Sequence, residues 1–468
     1  MHKFNYDVLI VGSGPGGKHA AIAASHLGKK VGIIERKSKL GGVSLQTGTI
    51  PSKALREAAY LHSRFSSKGM RTVASQSSIS DSEFLQEALQ TKNTIVDKQE
   101  AVLLNQLMRN GVTILPGEAS FHDEHTLEIL SPTGGKDLLS AEVIILATGS
   151  RARRPRTIPF ERDNVLDSSS ILKLNRLPES LAVIGGGVIA CEFATIFAML
   201  GVKITIVDSH KNLLAYMDSD ITNILEQHMQ EMGIEITMST SVEGIESDNK
   251  TVVVKTDGED ISATHVLYAI GRIPNFELLN IENAGLKAED QGWIPVSEDS
   301  QTDVKHIYVI GDLAGRPSLA ATAMEQGRRA ISHAYSQHYK RSSAPLPMAI
   351  YTIPELSYVG ATERELQTQG VDYISGQANY SESARGQIIG ANNGYLKILI
   401  NKKSLCVLGV HIIGEAASEL IHVGQIVMGY NGTVEDLANN VYNYPTLAEC
   451  YKSAALDCLN KLDKEKSL

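Results

Sequence analysis

The sequence contains two short glycine-rich segments, one fitting the pattern GxGxxG and the other GxGxxA. Missing side chains allow a tight turn, a close approach of the backbone to a ligand, and close packing of the following helix on the preceding strand. N–H groups at the start of that helix bind an anion, so each loop is suited to the pyrophosphate of a dinucleotide. The defining residues are Gly12, Gly14 and Gly17 in the first loop and Gly185, Gly187 and Ala190 in the second.

An acidic residue follows each loop at the same distance. Glu35 lies 23 residues after Gly12, and Asp208 lies 23 residues after Gly185. A carboxylate at this place accepts hydrogen bonds from the ribose hydroxyls of a bound dinucleotide. Asp208 repels a 2′-phosphate, which favours NAD over NADP. Because residues 209–211 (Ser-His-Lys) follow directly and can turn toward a phosphate, the preference between the two nucleotides stays open.

The apolar pattern predicts a strand before each loop and a helix after it, which gives two βαβ units. Between these units, residues 66–82 are rich in serine and are predicted to form a loop, and residues 84–110 have helical periodicity. Prolines in residues 151–159 and 342–347 mark predicted crossings between domains. In the two units, the predicted strands span residues 6–11, 30–34, 181–184 and 203–207, and the predicted helices span 18–27 and 188–200.

The last part of the chain is predicted to form a third, mixed unit. Its predicted strands span residues 395–400 and 406–413, and its predicted helices span 417–428 and 446–462. The total length of 468 residues also exceeds what one hydrophobic core supports, which is about 250 to 300 residues. The sequence therefore predicts several domains, two of which bind nucleotides.

Composition excludes several other classes of partner. A net charge of −9 with no long basic run, and an aromatic content of 5%, argue against a nucleic-acid partner. No apolar stretch has the length of a signal-peptide core or a membrane span, so we expect a cytoplasmic protein with no membrane partner. The four cysteines lack the spacing of a metal site or a disulfide framework, and we expect them to pack in cores.

Five segments together resemble the pyridine nucleotide–disulfide oxidoreductases. They are residues 40–55 (LGGVSLQTGTIPSKAL), 146–150 (LATGS), 268–275 (YAIGRIPN), 302–312 (TDVKHIYVIGD) and 351–360 (YTIPELSYVG). The resemblance covers nearly the whole chain. It implies an α/β fold of two Rossmann-type dinucleotide-binding domains plus a C-terminal α+β dimerisation domain, and hence a homodimer. The implied boundaries are 1–150 and 276–345 for the two parts of the FAD domain, 151–275 for the NAD(P) domain and 346–468 for the dimerisation domain.

This sequence departs from that family where the family does its thiol chemistry. The disulfide enzymes carry a CxxxxC pair on the flavin-facing helix, and this chain has Ser44 and Thr49 there. Hydroxyls cannot form a redox disulfide, so the route from flavin to thiol is absent. Tyr444 replaces the histidine of the family's HPTxxE pattern, although Glu449 is kept. Because the phenol of a tyrosine ordinarily has a pKa of about 10, it is not a base for thiols near neutral pH.

Within the family, GTIPSKALR followed by NYPTLAE resembles the soluble pyridine nucleotide transhydrogenases. This resemblance implies FAD-dependent, reversible hydride exchange between NADPH and NAD⁺, with FAD, NAD(H) and NADP(H) as cofactors. We expect a cysteine at position 44 in that subfamily, so Ser44 is a further departure. Two alternatives are an NAD(P)H oxidase or diaphorase, and a degenerate, non-catalytic subunit similar to dihydrolipoamide dehydrogenase.

The resemblance also assigns roles to individual residues. Lys53 and Glu192 are expected to form an ion pair beside the isoalloxazine, Tyr444 and Glu449 to reach the flavin of the other subunit, and Asp312 to hold the ribityl chain. The residues expected to bind FAD are Gly12, Gly14, Gly17, Glu35, Arg36, Gly41, Gly42, Val43, Ser44, Lys53, Ala119, Thr148, Gly149, Asp312 and Ala320. Those expected to bind the nicotinamide nucleotide are Gly185, Gly187, Ala190, Asp208 and Gly271.

Overall fold

The computed structural model describes residues 4–67, 81–248, 250–315, 317–340 and 342–466. The α-helices in these ranges are numbered α1 to α12 in chain order. They are Pro15–His26, Gly42–Gln46, Thr49–Ser67, Asp81–Arg109, Val188–Met199, Ser219–Glu231, Ala320–Ala334, Glu363–Thr368, Ala384–Ile389, Ala417–Gly429, Val434–Asn439 and Glu449–Lys466. None of these described helices is both long enough and apolar enough to cross a bilayer.

The strands of the same ranges are numbered β1 to β22 in chain order, and they form several separate sheets. They are Tyr6–Val11, Val31–Glu35, Thr113–Pro116, Glu118–Phe121, Thr126–Leu130, Lys136–Leu146, Ser150–Ala152, Val165–Leu166, Ser180–Ile184, Lys203–Asp208, Glu235–Met238, Val242–Ser247, Val252–Thr256, Ile261–Ala263, His265–Tyr268, Arg272–Pro274, Ile307–Val309, Met348–Ile350, Leu356–Gly360, Tyr373–Asn379, Tyr395–Asn401 and Val407–Ile413.

The first sheet is built around β1, which is buried on both faces. Val8 and Ile10 pack into the core that includes helix α1, whereas Leu9 and Val11 pack into the core on the opposite face. Strand β1 pairs in parallel with β2 and β6. Strand β17 comes from a much later part of the chain and pairs in parallel with β6. Two separate stretches of sequence therefore build this one sheet.

The second sheet repeats the design around β9. Its strand order is β11-β10-β9-β15-β8, and β9 pairs in parallel with β10 and β15. Alternate residues of β9 again enter two different cores, with Val183 on one face and Ile184 on the other. Strands β7 and β16 form an antiparallel ribbon that carries the chain into and out of this unit. The two crossings therefore lie side by side.

The C-terminal unit is an antiparallel sheet of order β18-β19-β22-β21-β20, with α12 packed against β20 and β21. Lys397 on β21 is 1% exposed, and its Nζ lies 2.8 Å from Asp218 Oδ1 and 2.7 Å from Asp220 Oδ2. Both carboxylates belong to the start of α6 in the second unit. A buried lysine needs such partners because an unpaired charge in the interior is costly. This ion cluster ties the second unit to the third.

The predicted α/β class is confirmed, and the main errors concern helix starts. Helix α1 begins at Pro15, three residues earlier than predicted, because proline fits the first turn, where its missing N–H costs no hydrogen bond. Helix α12 begins at Glu449 rather than at residue 446 and continues to Lys466. Helix α3 continues to Ser67 and helix α4 begins at Asp81, so both described ends of the loop predicted for residues 66–82 are helical, and residues 68–80 lie outside the described residues. The domain boundaries remain predictions.

Candidate active site

A cavity of ≈ 980 Å³ lies between the first and second units. It is at the upper end of the range for ligand pockets, roughly 300–1,000 Å³. Helices α2, α3 and α5 and strand β18 all contribute to its wall. The residues expected to bind FAD that line it are Gly12, Gly14, Glu35, Arg36, Gly42, Val43, Ser44, Lys53, Ala119, Thr148, Gly149, Asp312 and Ala320.

The first glycine loop has the geometry that its sequence predicts. Gly12 has a φ of +106°, and a Cβ there would lie 2.4 Å from the carbonyl oxygen of Ala147. A Cβ on Gly14 would meet no atom within 4 Å, so this position is open toward the cavity. A Cβ on Gly17 would lie 1.9 Å from the carbonyl oxygen of Gly12, so this glycine serves close packing of helix on loop rather than lining the cavity.

Glu35 accepts three hydrogen bonds, two of which hold Ser13 of the first loop in place. Its Oε2 accepts from the backbone N–H of Ser13 at 3.1 Å and from the Ser13 hydroxyl at 2.6 Å, and its Oε1 accepts from the N–H of Lys37 at 3.0 Å. The Ser13 Oγ in turn accepts from the N–H of Gly41 at 2.9 Å. An ionised carboxylate has about four acceptor positions, so one remains for a ribose hydroxyl.

The second loop repeats these features outside the cavity wall. Gly185 has a φ of +116°, and a Cβ on Gly187 would meet no atom within 4 Å. Asp208 accepts from the N–H of Gly186 through Oδ2, and through Oδ1 from the N–H and the ring Nδ1–H of His210 at 2.7 and 2.6 Å. The loop directly follows the carboxyl end of β9. In this type of unit, a dinucleotide pyrophosphate binds at that end of the strand.

Lys53 on α3 and Glu192 on α5 form an ion pair in the wall of the cavity. Lys53 Nζ lies 2.8 Å from Oε1 and 2.7 Å from Oε2 of Glu192, whose residue is 5% exposed. The backbone N–H of Tyr351 donates to Glu192 Oε1 at 2.9 Å, and Lys53 Nζ lies 4.7 Å from the centre of the Tyr351 ring. The pair therefore joins the two nucleotide-type units to the segment between β18 and β19. Its action on a flavin remains a prediction.

That segment, residues 351–353, also bonds the two helices directly. The N–H of Ile353 donates to Thr195 Oγ1 on α5 at 3.2 Å, and Arg56 Nε on α3 donates to the carbonyl oxygen of Thr352 at 3.3 Å. Buried polar groups of this kind fix an arrangement because leaving any of them unpaired is costly. Three separate parts of the chain thus converge on one wall of the cavity.

Arg272 is a site residue that the sequence predictions missed. Its Nε and Nη2 donate to the Oγ and the carbonyl oxygen of Ser150 at 2.8 and 2.7 Å, and the Ser150 hydroxyl donates to Asp312. Burial lowers the pKa of Arg272. The residue lies directly after Gly271, which has a φ of +88° and connects β15 to β16. Its place in the GRIPN motif was the available signal.

No cysteine lines the cavity, although all four lie in the described residues. Burial raises the pKa of the thiols of Cys191 and Cys458 to about 12 and that of Cys450 to about 11. Thiols with such pKa values are neutral and unreactive near pH 7. Ser44 and Thr49, in contrast, both line the cavity. The wall that carries thiols in a disulfide reductase carries hydroxyls in this chain.

The remaining predicted residues lie away from this cavity. Tyr444 is 75% exposed, and Glu449 begins α12, where its Oε2 accepts from the N–H of Thr446 at 3.3 Å. Neither lines the cavity of its own chain. Gly41 has a φ of +95° and precedes α2, so its role is to allow the turn into that helix. Ala190 is fully buried in α5.

Comparison with known proteins identifies the family. Residues 6–327 match the model of the pyridine nucleotide-disulphide oxidoreductases, and residues 346–455 match the dimerisation domain of that family. The chain is 42% identical to a soluble pyridine nucleotide transhydrogenase of Mycobacterium tuberculosis, over 98% of both chains. It is 40% identical to a protein of the same name from Pseudomonas putida, over 99% of this chain and 100% of the relative.

Solved structures agree with these matches. The HOCl-induced flavoprotein disulfide reductase RclA from Escherichia coli has a TM-score of 0.87 at 25% identity, over 96% of this chain and 99% of that chain. LpdA from Mycobacterium tuberculosis has a TM-score of 0.86 at 26% identity, over 96% and 98% of the two chains. The chain is therefore a member of the pyridine nucleotide-disulphide oxidoreductase family.

Proposed function

We propose that this chain is an FAD-dependent transhydrogenase that exchanges hydride between NADPH and NAD⁺ in both directions. The observation that carries the proposal is the composition of the cavity wall. It contains the Lys53–Glu192 pair, which joins the two dinucleotide-type units, and it has hydroxyls where a disulfide reductase has thiols. Bound FAD supplies a two-electron carrier that accepts and returns hydride. The relatives named soluble pyridine nucleotide transhydrogenases, at 38–42% identity, support the same assignment.

The residues present fit an FAD in the first unit. Gly14 leaves open space where the backbone must approach a pyrophosphate, and Glu35 keeps one acceptor position for a ribose. Asp312 lines the cavity and is fixed by Ser150, as a residue that holds the ribityl chain would need to be. The start of α1 supplies N–H donors for the phosphates.

Lys53 has a distinct task in this proposal. Its ammonium is held by two carboxylate oxygens of Glu192, so it is a fixed positive charge at the cavity wall. A fixed charge stabilises negative charge that develops beside it without reorganisation during the reaction. Ser44 and Thr49 complete the wall without a redox function of their own, so disulfide substrates are excluded.

The donor and the acceptor nucleotide use one site in turn. Among the described residues, the loop at Gly185 is the one nicotinamide-type loop in addition to the FAD-type loop at Gly12. A single site that serves both nucleotides requires that the first product leave before the second substrate binds. The match to the dimerisation domain supports a homodimer, in which Tyr444 and Glu449 of one subunit reach the cavity of the other. We place this enzyme in the cytoplasm.

Steady-state exchange between NADPH and a spectrally distinct NAD⁺ analogue, measured anaerobically over a grid of both concentrations, tests the proposal. Parallel double-reciprocal lines are expected, because the two nucleotides bind one site in turn. Intersecting lines would mean that both are bound at once. Rapid reduction of oxygen or quinone without exchange would identify an oxidase or diaphorase, and a folded protein that binds no FAD would identify a non-catalytic subunit.

A further inference from the structure

We propose that Arg56 and Thr195 are positioning residues, which orient the Lys53–Glu192 pair through the backbone of residues 351–353. The inference rests on the proposed function and deepens it, because this pair is the fixed charge that the proposed hydride transfer uses. Neither Arg56 nor Thr195 lines the cavity, so neither touches a ligand bound there. Each therefore acts through the segment that it holds.

Lys53 alone does not fix the direction of the Glu192 carboxylate. A lysine ammonium carries three donors at the end of a flexible stem, so it follows a carboxylate that moves. Glu192 Oε1 also accepts from the backbone N–H of Tyr351 at 2.9 Å. A backbone N–H cannot rotate independently of its planar peptide, and Glu192 is buried, so little water can replace this donor. The position of residues 351–353 therefore sets the direction of the carboxylate, and the carboxylate sets the position of the ammonium.

Helix α5 holds this segment through two backbone groups. The N–H of Tyr351 donates to Glu192, and the N–H of Ile353 donates to Thr195 Oγ1 at 3.2 Å. The Thr195 hydroxyl donates its own proton within the helix, where the carbonyl oxygen of Glu192 lies 3.0 Å away. Because that proton points back into the helix, the lone pairs of the oxygen remain to accept from Ile353.

Helix α3 holds the same segment from its other side through Arg56, whose Nε donates to the carbonyl oxygen of Thr352 at 3.3 Å. Arg56 Nη1 lies 3.2 Å from Glu355 Oε1, and the two side chains are 7% and 12% exposed. Glu355 Oε2 accepts from the Ser418 hydroxyl at 2.9 Å, and the guanidinium carbon lies 5.2 Å from the centre of the Tyr60 ring. Separating a buried charge from its partner is costly, so Arg56 is a rigid donor.

Loss of either contact loosens residues 351–353, and the ammonium of Lys53 then has no single position in the cavity wall. A charge stabilises developing negative charge best when it needs no reorganisation. Because reduced FAD is the more negatively charged form, we expect the midpoint potential of bound FAD to become more negative and hydride transfer to slow. The affinity for a nucleotide should stay the same, since Arg56 and Thr195 touch no ligand in the cavity.

Thr195→Val is the sharpest variant, because valine has the shape of threonine and cannot accept from the N–H of Ile353. We expect it to shift the ratio of reduced to oxidised FAD about tenfold toward the oxidised form and to slow hydride transfer about tenfold. Equilibration with a reference dye measures the ratio, and single-turnover reduction by NADPH measures the rate. The dissociation constant of NAD⁺ for the oxidised holoenzyme should remain within about twofold of the wild type.

Thr195→Ser is the conservative partner of that variant, since it keeps the acceptor and removes only a methyl group. It should have nearly the potential and the rate of the wild type. If Thr195→Ser shifts the potential as much as Thr195→Val does, the effect comes from packing, and the positioning role of the hydroxyl is wrong. An equal loss of NAD⁺ affinity and of rate in Thr195→Val would also contradict the proposal.

Arg56 needs a paired substitution, because Arg56→Met alone leaves Glu355 buried without its partner. The double variant Arg56→Met/Glu355→Gln removes both charges and should regain most of the stability, while the bond to Thr352 stays absent. We expect the potential to remain shifted although the stability returns. A potential that returns together with the unfolding midpoint would show that Arg56 is only structural and would overturn its positioning role.

Arg64→Met is the matched control on the same helix. Arg64 also donates to a backbone carbonyl, that of Ile389 at 3.0 Å, and its guanidinium carbon lies 5.5 Å from the centre of the Tyr60 ring. The change therefore removes the same kinds of contact from a segment other than 351–353. It should leave the potential of FAD unchanged. A shift as large as in the Arg56→Met/Glu355→Gln variant would contradict a specific route through residues 351–353.

Combining Thr195→Val with the Arg56→Met/Glu355→Gln variant tests whether both act through one segment. Once the segment is loose, a second loss adds little, so the combined shift in potential should be smaller than the sum. Fully additive shifts would mean two separate routes and would overturn the shared one.

The potential of bound FAD is measured without any exchange between nucleotides, so its outcome differs from that of the proposed function. Shifted potentials in an enzyme that lacks exchange would reject the transhydrogenase assignment but keep the positioning residues. Normal exchange with unchanged potentials in Thr195→Val and Arg56→Met/Glu355→Gln would overturn the positioning residues alone. A folded protein that binds no FAD would overturn both.

Discussion

The two glycine loops use the same carboxylate design with a different third partner. Glu35 and Asp208 each accept from the second residue of their loop and from the N–H two residues beyond the strand. The third hydrogen bond of Glu35 comes from the buried hydroxyl of Ser13, whereas that of Asp208 comes from the exposed ring of His210. The third donor of the first loop is thus buried, as suits a cofactor that stays bound. The second keeps a polar group at the surface, as suits ligands that exchange.

The loops also differ in how closely the helix packs against them. A Cβ at Gly17 would lie 1.9 Å from the carbonyl oxygen of Gly12, so the first loop excludes even a methyl group. Ala190 occupies the corresponding place in the second loop and is fully buried. The second helix therefore stands far enough from its loop to admit one more carbon. The first loop has less freedom to accept any substitution.

The largest expected effect breaks this packing difference. Gly17→Ala should destabilise the protein by about 3 kcal/mol or more and abolish FAD binding, because the contacting atom is backbone and cannot rotate away. The reciprocal change Ala190→Gly should cost only about 1 kcal/mol, as for glycine in a helix. Thermal unfolding and the flavin absorbance of the purified variants measure both. Similar losses in the two variants would contradict the distinction between the loops.

The next effect concerns the contact that the two units share. Lys53→Met leaves Glu192 buried without its partner, which should cost about 3 kcal/mol of stability and slow hydride transfer. Lys39→Met is the control, since the pair of Lys39 with Asp97 is exposed and screened by solvent, so its loss should leave stability nearly unchanged. Denaturant unfolding and single-turnover reduction by NADPH are the measurements. Equal effects of both substitutions would remove the special role of Lys53.

A smaller effect tests the third partner of Glu35. Ser13→Ala removes one hydrogen bond to the carboxylate and the acceptor for the N–H of Gly41, so FAD affinity should fall by about 1–2 kcal/mol. Gly186→Ser introduces the hydroxyl at the matching position of the second loop. Its Cβ would lie 3.2 Å from a methyl carbon of Leu213. Because that side chain can move, we expect the affinity for NADH to fall by only about 1 kcal/mol. Dissociation constants for FAD and for NADH report the two effects, and unchanged FAD affinity in Ser13→Ala would contradict the first.

The smallest expected effect is that of reagents that modify thiols, because the activity should not depend on a thiol near either loop. Arsenite and thiol alkylators should leave nicotinamide-linked activity intact, since no cysteine lines the cavity and burial raises the pKa values of Cys191, Cys450 and Cys458. Lipoamide and glutathione disulfide should not be turned over. Glutathione reductase provides the sensitive control. Steady reduction of either disulfide by this chain would reject the assignment.

Sequence reasoning succeeded where residue type determines local geometry. Glycines at positions 12 and 185 are required by positive φ values, and Glu35 closes its strand, so both loops and their strands were predictable, although the start of α1 at Pro15 was not. It failed where a contact depends on packing between distant segments. The bonds from Arg272 to Ser150 and from Lys397 to Asp218 join residues more than 100 positions apart, and no local pattern encodes them.

The candidate site shows the same division. Lys53 and Glu192 were paired by resemblance, and the structure holds them 2.7 Å apart. The role of His210 was undetermined in the sequence, because a histidine after a strand can face solvent, a phosphate or its own carboxylate. Only the folded structure shows that the ring donates to Asp208. Side-chain direction at a loop is set by hydrogen bonds that the order of residues does not reveal.

The segment 351–353 has a consequence for how the molecule melts. Its backbone bonds reach Glu192 and Thr195 on one helix and Arg56 on another, while the Lys397 cluster ties the same C-terminal unit to α6. If one unit unfolds alone, buried polar groups of its neighbours lose their hydrogen-bond partners. Unfolding of a single unit therefore has a high free-energy cost. A calorimetric scan of the holoenzyme should therefore show a single cooperative transition rather than separate melting of its parts.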